Sequence, residues 1–546
     1  MSETQFDVVV IGAGPVGLAL AIELGMRGVR VLVAERNSRG GRAPRAKTTN
    51  ARTRTHLRRW GIAGKLAAAS PLGVDYPNDV HFVTSLAGYP LAAFRNAFNA
   101  APDRAEAYPE HAQWVPQYTL ERVMLEHART LPSVDLRFDT TFAEAEQGGD
   151  TVTTRLRDLE GEVSTFTSRY LIGADGARSA VRELIGATMQ GTHGISRHSN
   201  VVFHAPGLAQ AQVHGPGVMF LQIGRNGLSI VGPMDAGDIW YFGTGLREGE
   251  PLSDDKVVDQ IKLTTGIDLP YRILSADQWV ASELIADKYS QGRIILAGDA
   301  CHLHPPFGGY GMNMGVGDAV DLGWKIAAEL QGWGGPDLVA SYEAERRPVH
   351  RFVIEEALAN HQMMLGSPWR DGLDEGTPEG EAVRKGVGAA IQAAKAREYH
   401  TLGTVLGLGY ETSPIIDSEP GPAPAHDGQH YTPSARPGCL APHGWLDDGR
   451  SLYDAFGQGF ALVVAGGADE AQVALAAQEA QVLGAPFEII RPAPAIADLY
   501  EADLTLVRPD QHVAWRGQRW NGALRRAVAR DGVQSTVSER TADGVE

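Results

Sequence analysis

The sequence predicts an α/β protein, and three observations support that prediction. Near the N-terminus, the continuous apolar run from Val8 to Ile11 is typical of a strand buried on both faces. A glycine-rich turn then leads into a helical stretch, Leu18 to Met26, and a second buried strand, Val29 to Ala34. Two further apolar runs, 170–173 and 294–297, each end in a polar turn and join the same sheet. Together these features predict a Rossmann-like domain with a parallel sheet.

The glycine-rich turn has the spacing G-x-G-x-x-G. Gly12 permits the tight turn, Gly14 lets the backbone approach a pyrophosphate, and Gly17 lets the helix pack closely on the strand. Glu35 ends the second strand about 20 residues later, where an acid can bind a ribose hydroxyl. A simple glycine-rich turn is the alternative, but the order strand, turn, helix, strand and glutamate favours a dinucleotide site.

Length and composition restrict the possible classes of protein. With 546 residues, the chain should form two or three domains, and 43% hydrophobic with 21% charged residues is typical of a globular protein. The net charge of −17 argues against binding to nucleic acid or to an anionic membrane surface. Glu3 and Asp7 oppose a signal peptide, and no stretch predicts a membrane helix. Two cysteines, Cys301 and Cys439, indicate neither a disulfide framework nor a metal site, so we expect a cytoplasmic protein.

The middle and the end of the chain have different patterns. Alternating polar and apolar residues over 138–166 predict antiparallel hairpins, and the strand-rich stretch 200–278 predicts a separate sheet against the first domain. After a linker with the sequence EPGPAPAHDG, strands at 460–464, 487–490 and 504–508 surround a helix at 470–481. This last part predicts a small α/β domain.

Arginines are frequent after Glu35, among them those at positions 36, 42, 45, 52, 54, 58 and 59. Arg58 and Arg59 are expected on a solvated basic face of a helix. Arg45 and Arg52 lie near the entry from loop to helix, so we expect them to neutralise the pyrophosphate of a bound dinucleotide.

Three motifs now stand in order along the chain: GAGPVG with Glu35, GADGARSAVR at 173–182, and GDACHLHPPFGGYGMNMGVGDAVDLGWK at 298–325. Over about residues 5–360 the sequence resembles the FAD-dependent aromatic hydroxylases, the class A flavoprotein monooxygenases that include phenol and hydroxybenzoate hydroxylases. After about residue 410 it resembles the thioredoxin-like C-terminal domain of the phenol hydroxylase branch. The pieces PRAKTTNARTRTHLRRWG and TSLAGYPL are most similar to chlorophenol and polyketide-tailoring hydroxylases.

The resemblance implies four regions. Residues 1–75, 105–190 and 285–360 would form the Rossmann-like FAD-binding domain, and 76–104 with 191–284 an interleaved substrate-binding β-sheet domain. Residues 361–410 would be a helical connector, and 411–546 the thioredoxin-like domain. This last domain has Cys439 but no C-x-x-C pair, so we interpret it as structural, with homodimer formation as one option.

The resemblance also implies the residues that hold FAD. Gly12, Gly14, Pro15 and Gly17 would bind its pyrophosphate, Glu35 and Arg36 its adenosine, and Gln117 another part of it. Asp175 would serve both FAD and the nicotinamide, and Asp299 would bind the ribityl chain; the alternative for both acids is a strand-end turn or a helix cap. Pro306, Gly311, Met312 and Asn313 would line the isoalloxazine ring. Independently, Gly308, Gly309 and Gly311 strip side chains from this loop, which leaves bare N–H groups for the electron-rich edge of reduced flavin.

The implied activity is that of an FAD-dependent monooxygenase that uses NADPH or NADH and O2. It would hydroxylate a phenolic or polycyclic aromatic substrate through a C4a-hydroperoxyflavin. The chain has no second G-x-G-x-x-G unit, so the pyridine nucleotide is expected to bind transiently in a surface cleft. Two alternatives stay open: the same fold performing Baeyer–Villiger or epoxidation chemistry, and a non-oxygenating FAD-binding protein.

Three residues are candidates for catalysis. Lys47 stands where phenol-type relatives often carry an acid or a histidine, and it either stabilises a phenolate or points to solvent. The segment from Pro306 to Asn313 is called the flavin loop below. His304, just before it, replaces a commonly apolar residue and either contacts substrate or bonds to backbone. Tyr241 is the polar candidate of the strand that would wall the pocket. His214, Met219, Phe220 and Trp240 are further candidates for that wall, with core packing as the alternative.

Overall fold

The computed structural model describes residues 5–38, 46–225, 227–246, 253–362 and 369–530 and shows a mixed α/β fold. The strands are β1 Val8–Ile11, β2 Val31–Ala34, β3 Thr48–Thr49, β4 Val80–Val83, β5 Pro90–Phe94, β6 Gln113–Trp114, β7 Val134–Arg137, β8 Thr141–Gly148, β9 Thr151–Arg157, β10 Val163–Ser168, β11 Tyr170–Gly173, β12 Met189–His204, β13 Met219–Gly224, β14 Gly227–Asp235, β15 Ile239–Gly245, β16 Arg272–Ala286, β17 Ser290–Gln291, β18 Ile294–Leu296, β19 His302–Leu303, β20 Phe460–Val464, β21 Phe487–Ile490, β22 Leu504–Val507 and β23 Val513–Gly517.

The helices are α1 Pro15–Gly25, α2 Ala51–Arg59, α3 Ala63–Ala68, α4 Gln117–Ala128, α5 Ala180–Leu184, α6 Leu208–Ala211, α7 Asp254–Thr265, α8 Gly311–Leu330, α9 Ser341–Gln362, α10 Pro378–Tyr399, α11 Leu402–Leu406, α12 Leu452–Ala455, α13 Glu470–Leu483, α14 Pro494–Ala497 and α15 Ala523–Ala527. None of those that lie within the described ranges combines the length and apolar character that a bilayer-crossing helix needs.

The first sheet has the strand order β17-β18-β11-β1-β2-β7. Strands β18, β11, β1, β2 and β7 run parallel, and the residues of β1, β2, β11 and β18 are all buried. Such burial on both faces explains why these strands appear as continuous apolar runs in the sequence. The predicted Rossmann-like domain is confirmed, and the hairpins predicted over 138–166 form the separate sheet β10-β9-β8.

The second sheet has eight strands in the order β19-β16-β12-β15-β14-β13-β4-β5. Strands β4 and β5 come from the early segment 76–104, and β4 pairs in parallel with β13. Strand β19 comes from the segment that we assigned to the FAD-binding domain, so the two regions share this sheet. The side chains alternate between two apolar cores, one on each face, because successive strand residues point to opposite sides.

The C-terminal sheet has the order β21-β20-β22-β23. Strands β20 and β21 are parallel and are connected through α13, while β22 and β23 form an antiparallel hairpin. This arrangement agrees with the predicted thioredoxin-like α/β domain. The strand β23 was not anticipated from the sequence.

A buried ionic cluster joins this domain to α8 and α9. Arg508 contacts Glu345 at 2.6 Å, Asp321 at 3.0 Å and Asp510 at 2.7 Å, and Lys325 contacts Asp321 at 2.8 Å and Glu345 at 2.6 Å. Charges taken out of water are costly unless they are paired, so each member depends on its partners. This cluster, which we call the docking cluster, therefore specifies how the C-terminal domain packs on the first domain.

We expect Arg508→Met to destabilise the protein strongly because it leaves three buried carboxylates short of a partner. Removing one partner of a buried pair costs about 3–5 kcal/mol, which corresponds to a fall of about 3–4 °C in the thermal midpoint of a chain of this length. Arg491→Met is the matched control, since Arg491 pairs with Glu470 on the surface of the same domain. Thermal unfolding of both variants measures the difference, and equal midpoints would contradict the importance of the cluster.

Candidate functional site

The turn between β1 and α1 leaves no room for side chains at two of its three glycines. Gly12 has a φ of +102°, and a Cβ there would lie 2.4 Å from the Ala174 carbonyl oxygen. A Cβ on Gly17 would lie 1.9 Å from the Gly12 carbonyl oxygen. A Cβ on Gly14 would meet no atom of the described residues within 4 Å, so among these residues its backbone borders open space. The tight turn and the close helix packing predicted for Gly12 and Gly17 are confirmed.

Glu35 closes this turn from the end of β2. Its carboxylate accepts hydrogen bonds from the Ala13 backbone N–H at 2.9 Å and from the backbone and side-chain amides of Asn37. Pro15 begins α1, and Arg36 is exposed beside Glu35. The contact of Pro15 with the pyrophosphate of FAD and the contacts of Glu35 and Arg36 with its adenosine stay predictions. Arg45 lies outside the described residues.

The three motifs meet at one edge of the first sheet. Since β1, β11 and β18 are parallel neighbours, the turns that follow them share the carboxyl edge. Val16 of α1 packs so tightly here that a Cβ on Gly298 or Gly315 would lie 2.7 or 2.5 Å from its side chain. The sheet therefore brings the glycine-rich turn, Asp175 and Asp299 to the same edge.

The two motif acids differ in their surroundings. Asp175 Oδ2 accepts from the backbone N–H groups of Ala180 and Val181 and so caps α5, while its buried Oδ1 has no hydrogen-bond partner among the described residues. Asp299 is exposed in the 3₁₀ turn Gly298–Ala300. A helix cap was the alternative that the sequence left open for Asp175, and Oδ2 takes this role. The Oδ1 atom of Asp175 can still accept a further hydrogen bond.

The loop before α8 depends on Asn313, which is buried. Its side chain accepts from the Asn50 backbone N–H at 3.0 Å and donates to the carbonyl oxygens of Thr48 at 2.9 Å and Gly309 at 2.8 Å. These bonds use both amide N–H groups, so the side chain holds the loop in place, and its contact with the isoalloxazine ring stays a prediction. Pro306 is exposed, and Met312 packs partly against the core of the first domain.

Backbone N–H groups of this loop fit the predicted role better than side chains. Gly308 and Gly309 have φ values of +86° and +67°, and a Cβ on Gly311, the first residue of α8, would meet nothing within 4 Å. Gln117, at the start of α4, accepts from the Ala46 N–H at 3.3 Å and donates to Glu121 at 2.9 Å. It therefore fixes the chain just before Lys47.

Arg52 does not take the role that the sequence suggested. Its guanidinium donates to the Gln511 side chain and to the Asp510 carbonyl oxygen, both at 2.5 Å, in the C-terminal domain. The solvated face predicted for Arg58 and Arg59 is also wrong. Arg58 pairs with Asp454, and Arg59 pairs with the buried Glu23 at 2.6 Å. Helix α2 therefore serves domain docking, which its sequence pattern alone did not reveal.

Lys47 and Tyr241 come together beside the flavin loop. The Lys47 ammonium lies 4.1 Å from the centroid of the Tyr241 ring, and the Trp114 ring is 6.3 Å from that ring. Among the described residues, no carboxylate pairs with this ammonium, and burial lowers the pKa of Lys47 to about 8. The Tyr241 hydroxyl donates to the Val218 carbonyl oxygen at 3.1 Å, and burial raises its pKa, so it stays neutral.

His304 belongs to a histidine cluster that the sequence did not predict. Its Nδ1 lies 3.3 Å from His302 Nδ1, and its buried Nε2 has no partner within the described part of the chain. His302 and His350 contact the two oxygens of Asp318 at 2.7 and 2.8 Å. Burial and the neighbouring histidines hold the pKa of His304 well below its usual value. His304 thus contacts a histidine and not the backbone, which was the alternative to a substrate contact. His350 on α9 also belongs to the cluster, and no motif in the sequence indicated it.

The same carboxylate orders the third motif. Asp318 also accepts from the Gly298 N–H at 3.0 Å and from Arg346 Nε at 2.8 Å. Burial alone would raise the pKa of Asp318. The neighbouring His350, Arg346 and His302 nevertheless hold this pKa well below the usual range. Cys301 lies near enough to share a metal with His302 and Asp318, but burial and Asp318 raise the pKa of its thiol, which opposes the thiolate that a metal needs.

Two of the four predicted wall residues lie on the wrong face of the second sheet. Phe220 and Trp240 pack in the core under α7, opposite to Tyr241, and His214 bonds to the Ser85 carbonyl oxygen near Phe220. We withdraw Phe220 and Trp240 as pocket residues because strand alternation sends them away from Lys47. We also withdraw His214, which lies outside the strands, because it bonds to Ser85 beside Phe220. Met219 packs partly against the core that contains Tyr241 and Trp114 and stays a candidate.

The carboxyl edge of the first sheet fits the predicted FAD. Gly14 and Gly311 border open space, which lets a ligand approach the backbone, and Asp175 Oδ1 can still accept a hydrogen bond. The N-terminal ends of α1 and α8 offer backbone N–H groups to phosphate and to an electron-rich ring edge.

Comparisons with known proteins agree with this geometry. Residues 5–357 match the family model described as "FAD binding domain", and residues 434–531 match "Aromatic-ring hydroxylase, C-terminal". The 2,4-dichlorophenol 6-monooxygenase of Delftia acidovorans is 32% identical over 94% of this chain and 95% of its own length.

Solved structures show the same fold. RebC soaked with chromopyrrolic acid has a TM-score of 0.89 at 32% identity, covering 96% of this chain and 99% of RebC. Aklavinone-11 hydroxylase with FAD and aklavinone has a TM-score of 0.82 at 29% identity, covering 97% of this chain and all of that one. The chain therefore belongs to the family of FAD-dependent aromatic-ring hydroxylases.

Proposed function

We propose that this FAD-dependent monooxygenase hydroxylates a phenolic or polycyclic aromatic compound whose ring hydroxyl faces Lys47. One observation carries the proposal: the Lys47 ammonium lies against the Tyr241 ring, and no carboxylate among the described residues neutralises it. Hydroxylation of a phenol is easier from the phenolate, and a nearby cation favours that ionised form. A cation without a protein counter-ion is suited to that task.

The backbone of Lys47 is held between the two parts of the candidate site. Its carbonyl oxygen accepts from the Val115 N–H at 2.7 Å. The adjacent Thr48 accepts from Asn313, and its side chain lies 3.3 Å from the position of a Cβ on Gly309. The ammonium therefore stands where the flavin loop meets the sheet face that carries Tyr241, which supports its contact with both the substrate and the reaction zone.

Each neighbour then has a defined task. Bound FAD supplies the oxygen-transfer chemistry, with O2 as the oxidant and NADPH or NADH as the proposed reductant. Lys47 lowers the pKa of the ring hydroxyl and orients it. Tyr241, fixed by its bond to the Val218 carbonyl oxygen, supports the lysine stem, and with Trp114 and Met219 it keeps water from the ring.

The relatives act on both single-ring and multi-ring compounds according to their names, so both classes belong in the test. We would incubate the yellow protein with NADPH or NADH and either 2,4-dichlorophenol or aklavinone, and follow reductant consumption and product mass. Faster consumption with a product one oxygen heavier and an intact ring supports hydroxylation. A ring-expanded lactone or an epoxide supports the two oxygen-insertion alternatives, and no stimulation by any aromatic compound supports a non-oxygenating flavoprotein.

We also propose a location and an oligomeric state for this enzyme. The enzyme acts in the cytoplasm, since Cys301 is buried and unpaired and Cys439 is also free. It forms a homodimer, and light scattering of the purified protein would show this directly by a mass of about twice 58.5 kDa. A monomer mass would remove the second statement.

We expect Lys47→Met to shift the pH profile of substrate-stimulated NAD(P)H consumption to higher pH. Without the cation the pKa of the bound phenol is higher by about 1–3 units, so the phenol ionises only at higher pH. Because the pKa of Lys47 is lowered to about 8, the lysine is charged below this pH and loses its charge above it. The difference between wild type and variant should therefore be largest below about pH 8 and shrink above it.

The control for this profile is Lys65→Met, which removes an exposed lysine on α3. Its profile should match that of the wild type. If Lys47→Met also leaves the profile unshifted, the lysine has no part in ionising the substrate.

We expect Gly14→Val to abolish FAD retention without unfolding the protein. The backbone at Gly14 is extended, and a Cβ there meets no protein atom, so the new side chain should occupy only the space that the pyrophosphate needs. The ratio of flavin to protein absorbance measures retention. Gly148→Val, at an open position at the end of β8, is the control and should stay fully yellow. Full flavin content in Gly14→Val would place the pyrophosphate elsewhere.

A further inference from the structure

A cavity of about 40 Å³ lies behind the flavin loop, between α2, α8 and the C-terminal domain. Its polar lining includes Asn50, Arg52, His56, Arg346, Asp510 and His512, together with Asn313 and Tyr410. A space of this size exceeds the 10–15 Å³ needed for one water, so it can hold a small ion or a few waters. Asn313, which orders the flavin loop, forms part of its wall.

Two buried side chains in this lining have polar atoms without partners among the described residues. Asn50 is 5% exposed and caps α2, because its Oδ1 accepts from the Thr53 N–H at 2.9 Å. This cap fixes which end of the amide is oxygen, so the atom without a partner is the donor Nδ2. His56 is 2% exposed, and its Nδ1 also has no partner. Buried donors in proteins are nearly always bonded, so Asn50 Nδ2 requires an acceptor, and His56 requires one as well in the tautomer that carries the proton on Nδ1.

The charges around the cavity leave Arg52 without an ionic partner. Asp510 is engaged by Arg508 through two bonds, and Arg346 is engaged by Asp318. Arg52 donates only to neutral acceptors, the Gln511 side chain and the Asp510 carbonyl oxygen. A guanidinium has five N–H donors, so several stay available for a further acceptor.

The docking cluster behind Asp510 does not supply the missing negative charge. It contains two cations, Lys325 and Arg508, and three carboxylates, Asp321, Glu345 and Asp510. All three carboxylates already accept from Lys325 or Arg508, and none of them forms an ion pair with Arg52 among the described residues. Burial and the charges of Arg52 and Arg59 lower the pKa of His56 well below its usual value, as expected in a positive field.

We propose that this cavity binds one chloride-sized monovalent anion, held by Asn50 Nδ2, the His56 ring and the Arg52 guanidinium. The anion would supply the acceptor that both buried donors lack and the charge that Arg52 lacks. Because the Asn50 backbone also donates to Asn313, the site joins the C-terminal domain to the residue that orders the flavin loop. Gluconate is much larger than chloride, so it serves as the comparison anion in the second test below.

The first test uses bromide as the probe. Crystals of the FAD-loaded protein grown in sodium bromide should show an anomalous peak between Asn50, Arg52 and His56. Ordered water alone in this cavity would overturn the proposal. This measurement needs no variant, so it stands even where a substitution impairs folding, and it does not depend on which substrate the enzyme takes.

The second test compares thermal midpoints in sodium chloride and in sodium gluconate at equal ionic strength. Chloride should raise the midpoint of the wild type. Asn50→Asp keeps the cap oxygen but replaces the donor with a negative charge, so its midpoint should no longer respond to chloride. Arg52→Gln should also lose the response, while Arg58→Gln, on the same helix but outside the cavity lining, should keep it. An equal chloride effect in all four proteins would indicate a general salt effect and contradict the site.

Discussion

Backbone packing at the first turn is the constraint on which the rest of this structure depends. Gly12, Gly17 and the Ala174 carbonyl oxygen lie so close together that no Cβ fits between them. This contact sets the distance between α1, β1 and the turn after β11, and Val16 transmits the same tight packing to Gly298 and Gly315. The three motifs can share one edge of the sheet only because side chains are absent at these positions. FAD binding thus depends first on space and only then on hydrogen bonds.

Buried charges determine how the other parts are arranged around that edge. Asp318 ties the Gly298 turn, His302, Arg346 and His350 to one carboxylate, and Arg508 ties the C-terminal domain to α8 and α9. Because such groups lose hydration when buried, a shifted docking geometry would leave them unpaired at high cost. In this protein they specify position more than they add net stability. The proposed anion site extends the same principle, since it would complete an unpaired set of donors at the domain interface.

The contrast between Lys47 and the other buried cations connects the architecture to the chemistry. Arg508, Lys325, Arg346 and Arg59 each have a carboxylate partner, whereas no described carboxylate pairs with Lys47. The protein pairs these four cations with carboxylates and leaves the charge of Lys47 available beside the flavin loop. This difference supports the proposal that Lys47 acts on a substrate oxygen, and it explains why an aromatic ring, Tyr241, is its neighbour.

The sequence by itself determined the Rossmann-like domain, the hairpins, the C-terminal α/β domain and the three motif turns, because periodicity and glycine spacing are local properties of the chain. It also pointed to Lys47 and Tyr241, although it left open whether Lys47 faces solvent. Only the tertiary structure decided that Phe220 and Trp240 lie on the far face of their sheet, since a strand pattern does not reveal which face meets the cofactor. Likewise Arg52, Asn313 and His350 took their roles from contacts with residues distant in the chain. Such long-range pairings depend on how the domains dock, and no local pattern records them.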